Sequence, residues 1–320
     1  CRTLGCHDDA APALSAAGVH MRVSPQSREI EYYVTAAFVI LTAGTMTLYF
    51  ILLVLELLNI VVRREDDEQL ELIGLARAVQ ADPAGRKLLT RLTVHQRFQH
   101  WVLVIAFILL VLTGLPMKFA TVEWMPLLVA ALGGLETART IHRICAVVIS
   151  TAFVYHIGYL AVHAARDLRR RRLEKPERGL LAHLFFLVWE SPMMVQPKDV
   201  KDFALLFLWL FGLRRHRPEQ GKFHFSQKFE YWAVFWGMTM IGVSGAMLWI
   251  EDRAAETFGG RALNFAYIVH SDEAFLALLY ISVVHFFAVI FSPAVFPLNL
   301  GSLTGDMPPT ELAENHVGHL

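Results

Sequence analysis

Ile141-His142-Arg143-Ile144-Cys145-Ala146-Val147-Val148-Ile149-Ser150-Thr151-Ala152-Phe153-Val154-Tyr155-His156-Ile157-Gly158-Tyr159-Leu160-Ala161-Val162 decides the fold. The run is apolar, carries Arg143 as its one fixed charge, and is long enough to cross a bilayer as a helix, which takes about 20 residues. It also holds two histidines, His142 and His156. A second apolar stretch, about Phe265–Phe291, holds His270 and His285. A histidine in lipid is costly unless something uses its ring nitrogen. The steps are 14 residues (142 to 156) and 15 residues (270 to 285). With a rise of about 1.5 Å and a turn of about 100° per residue, each pair shares one helix face, roughly 21–22 Å apart. Two such helices suit a pair of stacked iron porphyrins, one near each membrane surface, and point to electrons moving across a bilayer.

The rest of the chain agrees with a membrane setting. Its 320 residues are 55% hydrophobic and its mean hydropathy is +0.44, too apolar for an ordinary soluble domain. Three cysteines, Cys1, Cys6 and Cys145, exclude a disulfide scaffold. The chain opens on Cys1 rather than Met, as expected of a processed or trimmed chain. Five apolar runs are long enough to span: about Tyr33–Val62, Trp101–Phe119, Ile141–Val162, Tyr231–Ile250 and Phe265–Phe291. Shorter apolar stretches at Leu180–Trp189 and Asp202–Leu213 read as helices on the membrane surface or beneath the bundle. The expected fold is an all-α integral membrane helix bundle of five transmembrane helices, a four-helix porphyrin-binding core plus one extra N-terminal helix. The expected divisions are an exported segment over 1–31, the first span over 32–64, a cytoplasmic linker over 65–97, the core over 98–292 with an amphipathic cytoplasmic stretch at 166–225, and a cytoplasmic tail over 293–320.

Basic residues orient the spans. Arg63-Arg64 closes the first span. Arg166, Arg169, Arg170, Arg171, Arg172, Lys175 and Arg178 follow the third, and Arg214, Arg215, Arg217, Lys222 and Lys228 precede or open the fourth. With five spans these clusters fall on one side, so the N-terminus is outside and the C-terminus inside, as in a multi-pass protein of the bacterial cytoplasmic membrane. An arginine run placed between two spans reads as a topology signal, and no nucleic-acid partner is expected. His142 and His270 then lie near the outer surface and His156 and His285 deeper. The second span adds a complication. It opens with His95-Gln96-Arg97-Phe98-Gln99-His100-Trp101 and runs inside to outside, so His100 also sits near the inner surface. Electron-transfer b-type iron takes two axial ligands. His285 therefore has two candidate partners, His100 and His156, and either one of the three is spare or a third porphyrin is bound. Arg97 is placed to pair a porphyrin propionate or to snorkel to the interface, and Trp101 to anchor there.

These motifs resemble a family. His95–Trp101 followed by Leu112-Thr113-Gly114-Leu115-Pro116, then Arg139-Thr140-Ile141-His142-Arg143, then Lys222-Phe223-His224-Phe225-Ser226-Gln227-Lys228 with Trp232, then Ile268-Val269-His270 and His285, resemble in order the four core helices of the di-haem cytochrome b subunits of respiratory formate dehydrogenases and nickel–iron hydrogenases. The resemblance covers about residues 90–292. It implies an outer haem held by His142 and His270 and an inner haem held by His100 and His285. His156 departs from the formate dehydrogenase pattern and is more similar to a bacterial subgroup joined to c-type haem domains, as is the tail from Phe291 to Gly305. Gly114, Gly242 and Gly245 are expected where a porphyrin approaches backbone closely, or where helices pack on small residues.

The resemblance further implies a quinone pocket beside the inner haem, formed by the Lys222–Lys228 turn. His224, Ser226 and Gln227 offer hydrogen bonds, and Glu230 or Lys222 a proton route; a polar helix start with Ser226 as its N-cap is the other reading. Asp272 and Glu273 read as solvated interfacial carboxylates, or as proton-linked groups near the outer haem. Cys1-Arg2-Thr3-Leu4-Gly5-Cys6-His7 varies the C-x-x-C-H attachment motif for covalent haem c. Cys1 and Cys6 would bond the vinyls, His7 would ligate iron, and His20 or Met21 would be the sixth ligand; a zinc or disulfide fragment and a lipidated Cys1 are the other readings. Cys145 is expected to be a buried thiol. The cofactors expected are thus two or three haems b, one haem c and a quinone or quinol, and the partners are lipid, exported cytochromes or redox subunits, and a larger complex. The leading function is transmembrane electron transfer between periplasmic carriers and the quinone pool, as part of a quinol–cytochrome oxidoreductase. The rival readings are a haem-bearing anchor and relay subunit with no quinone site of its own, and a proton-coupled transporter.

Overall fold

The computed structural model describes residues 29–62, 74–79, 81–82, 92–214, 218, 223, 225–291 and 298–306. Among them all regular structure is helical. In chain order the helices are α1 (Ile30–Val62), α2 (Val94–Lys118), α3 (Met125–Ala131), α4 (Leu135–Glu174), α5 (Leu180–Trp189), α6 (Pro197–Leu210), α7 (Phe225–Trp249), α8 (Glu251–Phe258), α9 (Gly260–Tyr280) and the single turn α10 (Gly301–Thr304). After α9 the chain continues as π-helical turns over Ile281–His285 and Phe287–Phe291. Five of these segments are long and apolar enough to cross a membrane: Ile30–Asn59, Val94–Lys118, Leu135–Glu174, Phe225–Trp249 and Gly260–Phe291. The protein is therefore an all-α, multi-pass membrane bundle, as its apolar runs anticipated.

The helices outrun those apolar runs because their polar ends are helical too. α4 departs furthest, reaching twelve residues beyond the expected Val162 to Glu174. Its tail is laced by ion pairs one turn apart: Asp167–Arg171 at 2.7 Å, Asp167–Arg170 at 2.8 Å and Arg170–Glu174 at 3.8 Å. At about 1.5 Å per residue the helix is about 60 Å long, against a hydrocarbon layer of about 30 Å. α2 starts on a reciprocal cap: the Thr93 amide donates to Gln96 Oε1 (2.9 Å), and the Gln96 amide donates to Thr93 Oγ1 (3.3 Å). α6 begins at Pro197, five residues before the expected start at Asp202. Pro197 sits in its first turn, where the missing N–H costs nothing, and Gln196 and Asp199 form a second reciprocal cap. The helix gives way at Gly212, whose φ of 81° stops it.

Most large apolar side chains point outward, Ile40 at 71% exposure and Val154 at 66% among them, as lipid-facing surfaces do. The buried positions are mainly small: Ala106, Thr113, Ala138, Cys145 and Ala266. Cys145 is a free buried thiol, as expected. α1 buries none of its apolar window and is held by polar contacts. Arg261 binds Glu31 at 2.8 Å, Asn59 Nδ2 donates to the Leu210 carbonyl at 2.8 Å, and Tyr49 meets Tyr280 edge-on.

The chain divides into two compact units. Cys1–Tyr49, Val111–His142 and Val234–His285 form the first; Phe50–Leu110, Arg143–Ala233 and Phe286–Leu320 form the second.

Candidate functional site

In the first unit, α4 and α9 bring His142 and His270 together, with ring centres 6.2 Å apart and planes at 64°. Each ring is fixed through Nδ1. Thr113 Oγ1, on α2 and fully buried, lies 2.8 Å from Nδ1 of His142. Nδ1 of His270 lies 3.0 Å from the Ile241 carbonyl on α7 and 3.5 Å from Ser244 Oγ. Each ring also presses on a glycine. A Cβ at Gly114 would lie 3.3 Å from Cε1 of His142, and a Cβ at Gly245 would lie 2.9 Å from Cε1 of His270. The glycines thus make room for imidazoles, whereas Gly242 faces nothing within 4 Å.

This spacing has a chemical meaning. Two imidazoles from neighbouring helices, 6.2 Å apart between ring centres and each anchored at Nδ1, are the residues that would hold a haem iron here. The Ile241 carbonyl can only accept, so for His270 it selects the tautomer that carries its proton on Nδ1 and leaves the Nε2 lone pair available to a metal. Among the described residues no three His, Cys, Asp or Glu side chains converge as a metal cage. The donor set here is two imidazoles, the number a six-coordinate haem iron asks of a protein.

Of the two readings of Asp272 and Glu273, the solvated one does not hold. Asp272 is no free interfacial carboxylate: Lys118 Nζ binds it at 2.5 Å and donates to Ser271 Oγ at 2.9 Å. Glu273 is buried, 6% exposed, with Oε1 3.3 Å from where a Gly237 Cβ would stand. It occupies the α9 face one turn from His270, turned toward α7 rather than toward water.

In the second unit, α2, α4 and α7 meet around His156. Its Nδ1 lies 2.7 Å from Gln99 Oε1 and its Nε2 lies 3.1 Å from the Tyr231 hydroxyl. Both ring nitrogens are thus engaged with side chains. Tyr159 stacks alongside at 6.4 Å and meets His163 at 4.3 Å, and His95 hydrogen-bonds Tyr155. Gln227 lies one turn before Tyr231 on α7. Lys228 is buried on a 2.7 Å ion pair with Asp199 and donates to the Met194 carbonyl, fastening α7 to α6. The Arg97 guanidinium donates to the Leu303 carbonyl. His100 stands on α2 in this unit, whereas His285, at the end of the first π-helical turn, belongs to the first unit. Cys1, Cys6, His7, His20, Met21, Lys222 and His224 lie outside the described residues.

Reading the sequence alone missed Thr113, the Ile241 carbonyl, Gln99 and Tyr231 as partners of the histidines. A signal for the first was present. Thr113-Gly114 and Ser244-Gly245 are the same hydroxyl–glycine step on two helices, and each faces one imidazole.

The profile of the prokaryotic cytochrome b561 family matches residues 9–173, just over half the chain, and the chain belongs to that family. It is a membrane electron-transfer cytochrome, and the family's cofactor is haem b. Relatives include the formate dehydrogenase cytochrome b556(fdo) subunit of Escherichia coli K12, 23% identical over 210 residues, covering 64% of this chain and 80% of the relative. The formate dehydrogenase cytochrome b556 subunit of Haemophilus influenzae is 24% identical over 190 residues, covering 58% and 66%. The nitrate-inducible cytochrome b556(Fdn) subunit of E. coli K12 is 20% identical over 201 residues, covering 63% and 77%.

Proposed function

We propose that this chain carries electrons across a bacterial cytoplasmic membrane, between redox carriers on the exported side and the quinone pool on the inner side, as one subunit of a larger redox complex. The observation that carries the reading is the 6.2 Å separation of His142 and His270, each ring backed by a glycine and anchored at Nδ1. These two residues would hold the outer haem b. The inner haem b is assigned to His100 and His285 on sequence resemblance. The engagement of both His156 nitrogens by Gln99 and Tyr231 favours His100 over His156.

Bound haem supplies reversible one-electron storage; the protein sets its ligation, orientation and surroundings. The Ile241 carbonyl accepts from the His270 Nδ1–H, and the Thr113 hydroxyl is assigned the same part at His142, which would hold both rings in the iron-binding tautomer. Gly114 and Gly245 let the rings lie against backbone. The basic clusters after α4 and before α7 support an exported N-terminus. Cys1, Cys6 and His7, with His20, would then stand in the compartment where haem c is attached. Lys222, His224 and Gln227 are assigned to quinone contact. The names of the relatives, formate dehydrogenase subunits, support membership of an assembly.

A pyridine haemochrome assay with peptide-linked haem staining on the purified full chain tests the cofactors. It is expected to give two haems b and one covalent haem c. His142→Ala and His270→Ala should each remove the same one of the two b-type signals; retention of both signals in either variant overturns the outer assignment. A quinone analogue should perturb the remaining signal. No perturbation would favour the relay subunit without a quinone site.

A further inference from the structure

Leu298–Asp306 is short and unused by the function described above. It is nonetheless tightly bound at both ends. At its start, the Asn299 amide donates to the Val289 carbonyl at 2.7 Å, and Asn299 Oδ1 accepts from the Gly301 amide at 2.8 Å. Val289 lies one turn beyond His285. The segment then coils into α10, whose last carbonyls point at the first turns of α2. Ser302 accepts from Trp101 Nε1 at 3.1 Å, Leu303 accepts from the Arg97 guanidinium, and Gly305 accepts from the Leu92 amide at 3.0 Å. Arg97 and Trp101 flank His100 on α2.

The C-terminal carbonyls of a helix turn need donors, and cationic or N–H side chains suit them. Arg97 and Trp101 supply these from a neighbouring helix, so α10 and α2 complete each other. Gly305 closes the turn at φ +89°, a left-handed conformation that favours glycine. A Cβ there would lie 2.6 Å from the Leu92 carbonyl oxygen and 3.1 Å from Arg97 Nε, so backbone meets backbone without room for a side chain.

We infer that Leu298–Asp306 is a tie joining the end of the fifth span to the start of the second, and that through Arg97 and Trp101 it positions His100 as an axial ligand. The tie grips each helix within a turn of a ligand assigned to the inner haem. Arg97 and Trp101 are thus positioning residues. This rests on the assignment of His100 and His285, which the variants below test separately.

The experiment compares the low-spin ferric EPR signals and midpoint potentials of both b haems in the purified full chain. His142→Ala and His100→Ala identify which signal belongs to which site. Trp101→Phe keeps the ring and removes the donor, Arg97→Ala removes the second grip, and Gly305→Ala forces the turn open. The expected result is a shift in the signal lost in His100→Ala, with the signal lost in His142→Ala unchanged as an internal control for folding. Arg97→Lys, which can still donate to the Leu303 carbonyl, should restore most of the parent signal. No shift in any of the three variants, or equal shifts at both haems, overturns the tie. Survival of both signals in His100→Ala overturns the ligand assignment itself, and with it the tie's role at that residue.

Discussion

Gly245 faces His270 so closely that a methyl group in place of its hydrogen would stand 2.9 Å from Cε1 of the ring. Both atoms belong to packed helices, so neither gives way easily. Gly245→Ala is therefore expected to displace the imidazole and abolish one b-type signal while leaving the other. Reduced-minus-oxidised spectra of the purified variant, with the haem content per chain, check this. Full retention of both signals would show that the ring has room to move.

Gly114 offers a graded counterpart. Its Cβ would meet His142 Cε1 at 3.3 Å, tight but short of a hard clash. Gly114→Ala should retain both haems and cost about 1–3 kcal/mol of overpacking, visible as a lower melting temperature of the haem-loaded protein.

Thr113 is fully buried and its hydroxyl lies 2.8 Å from Nδ1 of His142. Thr113→Val keeps the shape and removes the acceptor. Loss of such an outer partner weakens metal binding by about 10–100-fold. Without it the ring is less basic and stabilises ferric iron less, so the outer haem's midpoint potential should rise. Potentiometric titration resolves the two haems, and a fall instead of a rise would contradict the assigned hydrogen-bond direction.

His156 makes the opposite case. With Gln99 and Tyr231 on its two nitrogens, His156→Phe should leave the number of b haems per chain unchanged. Loss of a haem in this variant would return His156 to the ligand set.

Lys228 and Asp199 are both nearly buried, and their ion pair joins α7 to α6. Removing one partner of such a pair costs about 3–5 kcal/mol. Lys228→Met is expected to lower the unfolding midpoint, and the double variant with Asp199→Leu should recover part of the loss.

The five spans were legible because a bilayer imposes one length on every apolar run, and the histidines because lipid tolerates so few of them. The ends were less legible. Arg170 and Arg171 read as part of a topology signal and, paired with Asp167 and Glu174, also prolong α4, since opposite charges a turn apart favour helix. The stretch expected from Asp202 in fact begins at Pro197, whose ring suits a first helical turn but adds nothing to an apolar run. The π-helical turns at Ile281–Phe291 leave no mark on hydrophobic period. Glu273 looked solvated because sequence gives depth along a helix but not the direction a residue faces. The partners of the histidines are a hydroxyl, a carbonyl and an amide from other helices, and only packing brings them near.

Two hydrogen atoms, where side chains would otherwise stand on α2 and α7, also set the axial register of the bundle's first unit. Sliding α7 along α9 by one turn, about 5.4 Å, in the direction that brings its C-terminal end to the His270 ring would present Leu248 or Trp249 in place of Gly245. Neither leaves space for an imidazole. Gly245 therefore bars α7 from slipping in that direction while His270 stays where it is.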